Sequence, residues 1–314
     1  MESTGHSSTY TTPELVSDHV SVEVNIKSLL DAGAHFGHQK ERWNPRMLPF
    51  IYGLRNNTHI INLDMTLKNW ERARKFVRDI TERGGSMLFV GTKVQARDIV
   101  RAEAERAGCH YVTTRWLGGT LTNFQTIKFS IDRMKKLEDL LAEAEKPETK
   151  IRLVKKERLN LSRQLAKLEA SLGGIRNLKR PPDVLFIVDV IKEAIAVAEA
   201  RRLHIPVVAL VDTNADPGLI DFPIPSNDDA AKTVKLFSAA MADAVIDGRA
   251  AFEAKIPHSG GNGGGNGGGE GGHNRKNGAN GGAHGRDDDQ KDERKEEMAG
   301  KMAGKMAGNE VGAI

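Results

Sequence analysis

Three short runs of this chain are apolar at every position: Met87–Val90, Val184–Val188 and Pro206–Val211. A strand without a polar face must be covered on both sides, which is the condition of a parallel sheet sandwiched between helices. The stretches between the runs meet that condition. Asp64 can cap a helix to about Arg83, with Leu67, Trp70, Val77 and Ile80 at three- and four-residue spacing. Further helices are predicted from about Val94 to Ala107, from Ile191 to Arg202, and from an Asn227 or Asp228 cap to about Asp247. Tyr111-Val112 reads as a short strand and Phe222-Pro223-Ile224 as a short edge element. Regular strand–helix alternation of this kind specifies an α/β fold with a doubly wound parallel sheet.

Residues 124–172 break the pattern. Ile127, Ile131, Met134, Leu137 and Leu141 form one apolar stripe, Pro147 interrupts, and Ile151, Val154, Leu161, Leu165, Leu168 and Leu172 form a second. Twelve Lys/Arg and eight Asp/Glu cover the outside. Narrow stripes on two charged helices predict an antiparallel, coiled-coil-like hairpin inserted into the α/β domain, each arm about 30 Å long at the helical rise. The α/β domain then comprises 22–123 and 173–256. Near its start, Asn25 is a candidate cap for a short helix ending near Gly33. The segment after it, through Pro45 and Pro49, reads as irregular. Phe50–Tyr52 and His59–Ile61 read as two short strands around a turn at Arg55-Asn56-Asn57. Residues 1–21 lack periodicity and read as a disordered leader. Residues 257–314 hold 18 of the 32 glycines, too few apolar groups for a core, and read as a disordered tail.

Charge narrows the partner. The leader carries −3 and the tail −1, so residues 22–256 carry +8 of a chain whose formal net charge is +4. A basic body favours a polyanionic partner, although a merely solvated basic surface has the same composition. The single cysteine, Cys109, excludes an intrachain disulfide and reads as a buried structural thiol. No apolar run reaches the ~18 residues of a membrane span, and the N-terminus lacks the basic and apolar regions of a signal peptide, so the expected compartment is the cytoplasm.

Several residues are candidates for chemistry. Asp189 and Asp212 each end an apolar strand, where doubly wound sheets bind ligands. They can hold Mg²⁺, or Zn²⁺ with a histidine, or they can cap the turns that follow. His35 and His38 make a second, weaker metal candidate, since no paired cysteine stands near them. Gly91-Thr92-Lys93 is a fragment of a phosphate loop without its remaining glycines, which disfavours nucleotide binding but leaves Lys93 free to touch an RNA phosphate. No nucleophile elbow occurs and no catalytic set assembles. In Arg115-Trp116-Leu117-Gly118-Gly119 the glycines imply a tight turn, with Trp116 anchoring the hairpin and Arg115 facing phosphate. Arg176, Lys179 and Arg180 add positive charge at the hairpin exit.

Ordered motifs identify a family. They include Leu30-Asp31-Ala32-Gly33-Ala34-His35-Phe36-Gly37-His38, Trp43-Asn44-Pro45, His59-Ile60-Ile61-Asn62-Leu63 and Leu88-Phe89-Val90-Gly91-Thr92-Lys93. Arg115-Trp116-Leu117-Gly118-Gly119, Ser171-Leu172-Gly173-Gly174-Ile175, Val211-Asp212-Thr213-Asn214 and Asn227-Asp228-Asp229-Ala230 follow. Over about residues 22–250 the chain strongly resembles the bacterial small-subunit ribosomal protein S2 family. The resemblance implies a flavodoxin-like sheet carrying the helical hairpin, and a structural rather than catalytic role. It implies docking on small-subunit ribosomal RNA between head and body, beside neighbouring ribosomal proteins including the mRNA-binding protein S1, which it helps anchor. Some members have a metal pocket of aspartates at that contact, and Asp189 and Asp212 match it, as a zinc or magnesium site. The glycine-rich tail departs from the family pattern. Structured RNA presents phosphates, 2′-hydroxyls and groove shape to basic side chains on a rigid support. The candidates in the globular part are Arg42, Arg46, Arg97, Arg115, Arg176 and Lys179. Those on the hairpin are Lys128, Arg133, Lys136, Arg152, Lys155 and Arg158. Two other functions fit the pattern: a nucleotide-binding enzyme, since such folds host many, and a protein–protein adaptor gripping a helix with its hairpin.

Overall fold

The computed structural model describes residues 22–146 and 153–255. The expected leader, the glycine-rich tail, the turn at Pro147 and Arg152 lie outside the described residues. In chain order the elements are α1 (Ile26–Ala32), β1 (Phe36–Gln39), β2 (Ile51–Arg55), β3 (Thr58–Ile61), α2 (Leu63–Thr81), β4 (Met87–Val90) and α3 (Val94–Arg106). They continue with β5 (His110–Val112), α4 (Phe124–Glu145), α5 (Lys155–Leu172), β6 (Val184–Val188), α6 (Ala194–Arg202), β7 (Val207–Val211), β8 (Phe222–Pro225) and α7 (Ala231–Lys255).

The five strands β5-β4-β6-β7-β8 form one all-parallel sheet in that order. The first strand in sequence thus lies between the second and third, which is the flavodoxin-like order, and the direction of winding reverses between β4 and β6. Alternation along each strand divides the core. Met87, Phe89, Val184, Phe186, Val188, Val208 and Leu210 face α2, α3 and α7, where Trp70, Val100, Phe237 and Met241 meet them. Leu88, Val90, Leu185, Ile187, Val207, Ala209 and Val211 face the other way. There they meet α6 and, from α4, Ile127, Ile131 and Met134.

That last contact changes the expected picture of 124–172. Met134 is fully buried and Ile131 is 2% exposed, so the first half of α4 belongs to the sheet's core rather than to a free arm. Its apolar stripe is wide enough there to cover the strands. Leu165 and Leu168 of α5 pack against the same cluster, and Arg133 donates to Gln164 Oε1 at 3.2 Å. Outward of these positions the two helices are largely exposed.

A smaller antiparallel sheet, β1-β3-β2, precedes the parallel one. Its β1 falls in the segment expected to be irregular. The strand forms because β3, some twenty residues on, supplies the ladder, with Phe36 opposite Ile60 and Gln39 opposite Thr58. No local periodicity announces it. Asn56 and Asn57 have φ of 50° and 64°, the two left-handed residues of a tight hairpin turn between β2 and β3. Gly37 is required for packing: a Cβ there would lie 2.5 Å from Thr213 Cγ2, on the loop after β7. Helix caps follow side-chain chemistry. Asn25 caps α1 and Gly33, at φ 77°, closes it. For α2 the cap is Asn62, accepting from the Asp64 N–H, and Asp64 itself sits in the first turn. Asn227 accepts from the N–H groups of Asp229 and Ala230 ahead of α7, which runs eight residues beyond the expected Asp247.

Candidate functional site

The carboxyl ends of the parallel strands gather the polar side chains. After β4 come Thr92 and Lys93, after β6 Asp189, after β7 Asp212 to Asn214, and after β8 Ser226 to Asp229. His38 enters from β1. Asp189 has φ 70° and its Oδ1 accepts from the Lys192 N–H, a side-chain turn of the kind aspartate tolerates.

Lys93 is the centre of an ionic cluster. Its Nζ lies 2.8 Å from Asp228 Oδ1, 2.6 Å from Asp229 Oδ1 and 3.2 Å from Asp189 Oδ2. Burial alone would lower its pKa, but hydrogen bonds to Asp228 and Asp229 and the charge of Asp189 raise it on balance, so it stays an ammonium. Lys93 is therefore committed within the chain. It does not reach outward to an RNA phosphate, as its place after β4 suggested. Asp228, 2% exposed, is pushed up to about 7 by burial and by the carboxylates of Asp212 and Asp189, against the pull of Lys93. Asp229, more exposed, is held below the usual range chiefly by Lys93.

His38 faces the other end of the cluster. Its Nδ1 is 3.1 Å from Asp212 Oδ2, yet poorly aligned, so this buried nitrogen has no hydrogen-bond partner. Its Nε2 is 3.2 Å from Asn214 Nδ2 and 3.6 Å from Asp229 Oδ2. Contact with Asp212 raises the His38 pKa despite partial burial. One ligand atom each from His38, Asp212 and Asp228 lies within 4.8 Å of the others. An orphaned imidazole nitrogen beside two buried carboxylates fits a divalent cation, and the mixed N/O donor set suits zinc better than magnesium, which prefers oxygen alone.

Only one of the two expected metal ligands therefore reaches this constellation. Asp212 does, while Asp189 is turned to Lys93 and the Lys192 N–H. His35 is not part of it either, because residues three apart on an extended segment face opposite ways, and its ring rests on Phe36 at 4.0 Å.

A crevice of about 330 Å³ opens beside the cluster, where winding reverses. Arg97 and Arg115 line it with Thr92, Trp116, Lys192 and Glu193. Sequence reasoning proposed the two arginines and missed Lys192, which stands on the β6–α6 turn. Glu193 is buried and accepts from the Thr92 N–H at 2.9 Å and from its hydroxyl. Burial raises its pKa although the Thr92 donors oppose this.

The other basic candidates are scattered. Arg42, Lys128, Lys136, Lys155, Arg158 and Lys179 are exposed. Arg46 is ion-paired with Asp216, and Arg176 with Glu138.

Glu199, on α6, holds the loop that ends in α4. Its Oε1 accepts from Trp116 Nε1 (3.1 Å) and the Gly119 N–H (2.8 Å). Its Oε2 accepts from the Leu121 N–H (2.9 Å), the Thr122 N–H (3.1 Å) and the Thr122 hydroxyl (3.2 Å). Burial would raise its pKa, but these donors outweigh it and hold the carboxylate below its usual range. Trp116 is 6% exposed and anchors the loop as expected, whereas Glu199 looks like any polar helix residue in the sequence.

Fold and site define a flavodoxin-like α/β protein whose strand ends carry an ionic cluster and a basic crevice. A family model described as Ribosomal protein S2 matches residues 29–248. Named relatives agree, each a small ribosomal subunit protein uS2. That of Mesorhizobium japonicum is 53% identical over 227 residues, covering 72% of this chain and 85% of its own. That of Sorangium cellulosum is 52% identical over 223 residues, 71% and 79% of the two chains. The Thermus thermophilus protein is 51% identical over 228 residues, 73% and 88%. The chain belongs to the ribosomal protein S2 family, a family of structural proteins and not of enzymes.

Proposed function

We propose that this chain is a structural constituent of the small ribosomal subunit in the cytoplasm. It docks on ribosomal RNA at the head–body junction and offers a neighbouring surface that helps anchor ribosomal protein S1. The observation that carries the RNA reading is the run of exposed lysines and arginines over α4 and α5, above a core that holds their helices in place. Such cations bind RNA through its phosphates, position the protein and read little sequence. The protein surface is the acidic cluster with its exposed apolar rim, Val94 and Ile191. There His38, Asp212 and Asp228 hold a zinc or magnesium ion that bridges to the partner.

The test is charge reversal at Lys128, Arg133 and Lys136 in the full chain. Affinity for a small-subunit RNA fragment and its dependence on salt should both fall, and co-sedimentation with small subunits should weaken. Unchanged affinity and salt dependence would show that α4 is not an RNA-binding surface. For the metal, zinc should bind the full chain in a competition titration with a chromogenic chelator, and Asp212→Asn should abolish that binding. Equal zinc uptake by both proteins removes the metal from the proposal.

A further inference from the structure

We propose that the crevice between Thr92, Arg97, Arg115 and Lys192 is a phosphate-binding site, its occupant a phosphodiester of an RNA strand. The inference deepens, and rests on, the RNA-binding reading above. It assigns a point of contact on the α/β core, away from the exposed helix surface.

Position comes first. The crevice lies at the carboxyl ends of β4 and β6, where the strand order reverses and the helices that follow diverge to opposite faces. Sheets of this type open their ligand site there. At about 330 Å³ it stands at the lower limit of small-ligand sites, with room for a phosphate and its immediate surroundings.

Charge comes second. Three cations line the walls, and among the described residues no carboxylate is ion-paired with Arg97, Arg115 or Lys192. This sets them apart from Lys93, Arg46 and Arg176, whose charges are matched inside the chain. The one acid in the walls, Glu193, is 2% exposed, spends its Oε1 on Thr92, and is shifted by burial toward its neutral form. The crevice is left with an unmatched positive potential facing solvent.

Rigidity comes third. Arg97 Nε donates to the Thr92 carbonyl at 3.0 Å, which fixes the guanidinium plane. Arg115 precedes Trp116, whose indole is tied to Glu199. Lys192 follows the Asp189 turn and its backbone N–H is held there at 3.0 Å. Two arginines and a lysine on anchored backbone offer several N–H donors to the oxygens of one phosphate, with the Arg97 guanidinium already held in place. A free phosphate compound presents the same chemistry, so the test separates the two sources.

The experiment uses the full chain and the variant Arg115→Ala/Lys192→Met. Both side chains are exposed, so the melting temperature should not move. Binding to a small-subunit RNA fragment is measured across a salt series. The slope of log K against log salt should shallow by about 1, for the one phosphate the crevice neutralises. Arg115→Lys should keep its share of the slope. If the parent chain binds RNA and the double variant binds with the same affinity and slope, the crevice is not the site, while the RNA reading stands. If the parent chain does not bind RNA, that reading fails, and calorimetry with inorganic phosphate and AMP decides the crevice. Saturable binding that the double variant loses makes it a site for free phosphate compounds; no saturable binding overturns it.

Discussion

Replacing Glu199 by Gln tests the internal clasp most sharply, because the change is one atom. The carboxylate meets five donors, two on Oε1 and three on Oε2. A glutamine offers one acceptor oxygen and one NH₂ group. In either orientation the NH₂ faces at least two donors, which then lose their partner. In the better orientation it faces Trp116 Nε1 and the Gly119 N–H. A buried donor left unsatisfied costs about 1–3 kcal/mol, so Glu199→Gln should cost about 2–6 kcal/mol. Urea unfolding followed by circular dichroism reads this directly. The pH dependence gives a second check. The Glu199 pKa is lowered in the folded state, so its contribution is present above the unfolded value of 4.5 and is lost as pH falls through the folded value. The gap between parent and variant should thus be constant from about pH 5.5 to 8 and shrink in acid below 4.5. A cost under about 1 kcal/mol at neutral pH, or a gap that widens on acidification, refutes the account of the clasp.

Three further substitutions separate readings of the fold. Met134→Ala should destabilise by about 2–5 kcal/mol if the first half of α4 is core, whereas a position on a free arm would change chemical denaturation by under about 0.5 kcal/mol. Gly248→Ala reverses the usual helix rule. Alanine is favoured by about 1 kcal/mol in a helix interior, but here its Cβ would lie 1.8 Å from Thr81 Oγ1, so the melting temperature should fall, not rise. Lys93→Met leaves Asp189 and Asp228 without their cation and should cost about 3–5 kcal/mol, with Lys93→Met/Asp228→Asn recovering part of it in a double-mutant cycle.

Those parts of the fold that depend on neighbours in sequence could be read from it. The unbroken apolar runs of β4, β6 and β7 need cover on both faces whatever their partners are, and all three lie inside one parallel sheet. Asn25 and Gly33 bracket α1 because caps act within a single turn. The site was harder, for it is assembled across the chain. His38 and Asp212 are separated by more than 170 residues, and Lys93 and Asp228 by 135. Strand-end position singled out Asp189 and Asp212 equally. Only the packing of β1 against the loop after β7, which needs Gly37, decides that Asp212 meets the histidine. Glu199 had no signal at all, since three of its five donors are backbone groups that any sequence possesses and the other two, Trp116 and Thr122, lie some eighty residues away.

Two charges of opposite sign therefore share the carboxyl edge of the sheet. Thr92 and Lys93 are consecutive, yet Thr92 lines the basic crevice and Lys93 sits in the acidic cluster. On the β6 side, Asp189 turns to the cluster and Lys192, three residues on, to the crevice. A phosphate placed on the cluster would meet Asp228 and Asp229, and a cation placed in the crevice would meet Arg97 and Arg115. Each subsite thus rejects what the other accepts. With water displaced by a partner, the effective dielectric falls and both the attraction and the rejection strengthen. On the proposed function, an edge of this kind would orient a partner pair, polyanion to one side and cation to the other, by attraction and rejection alone.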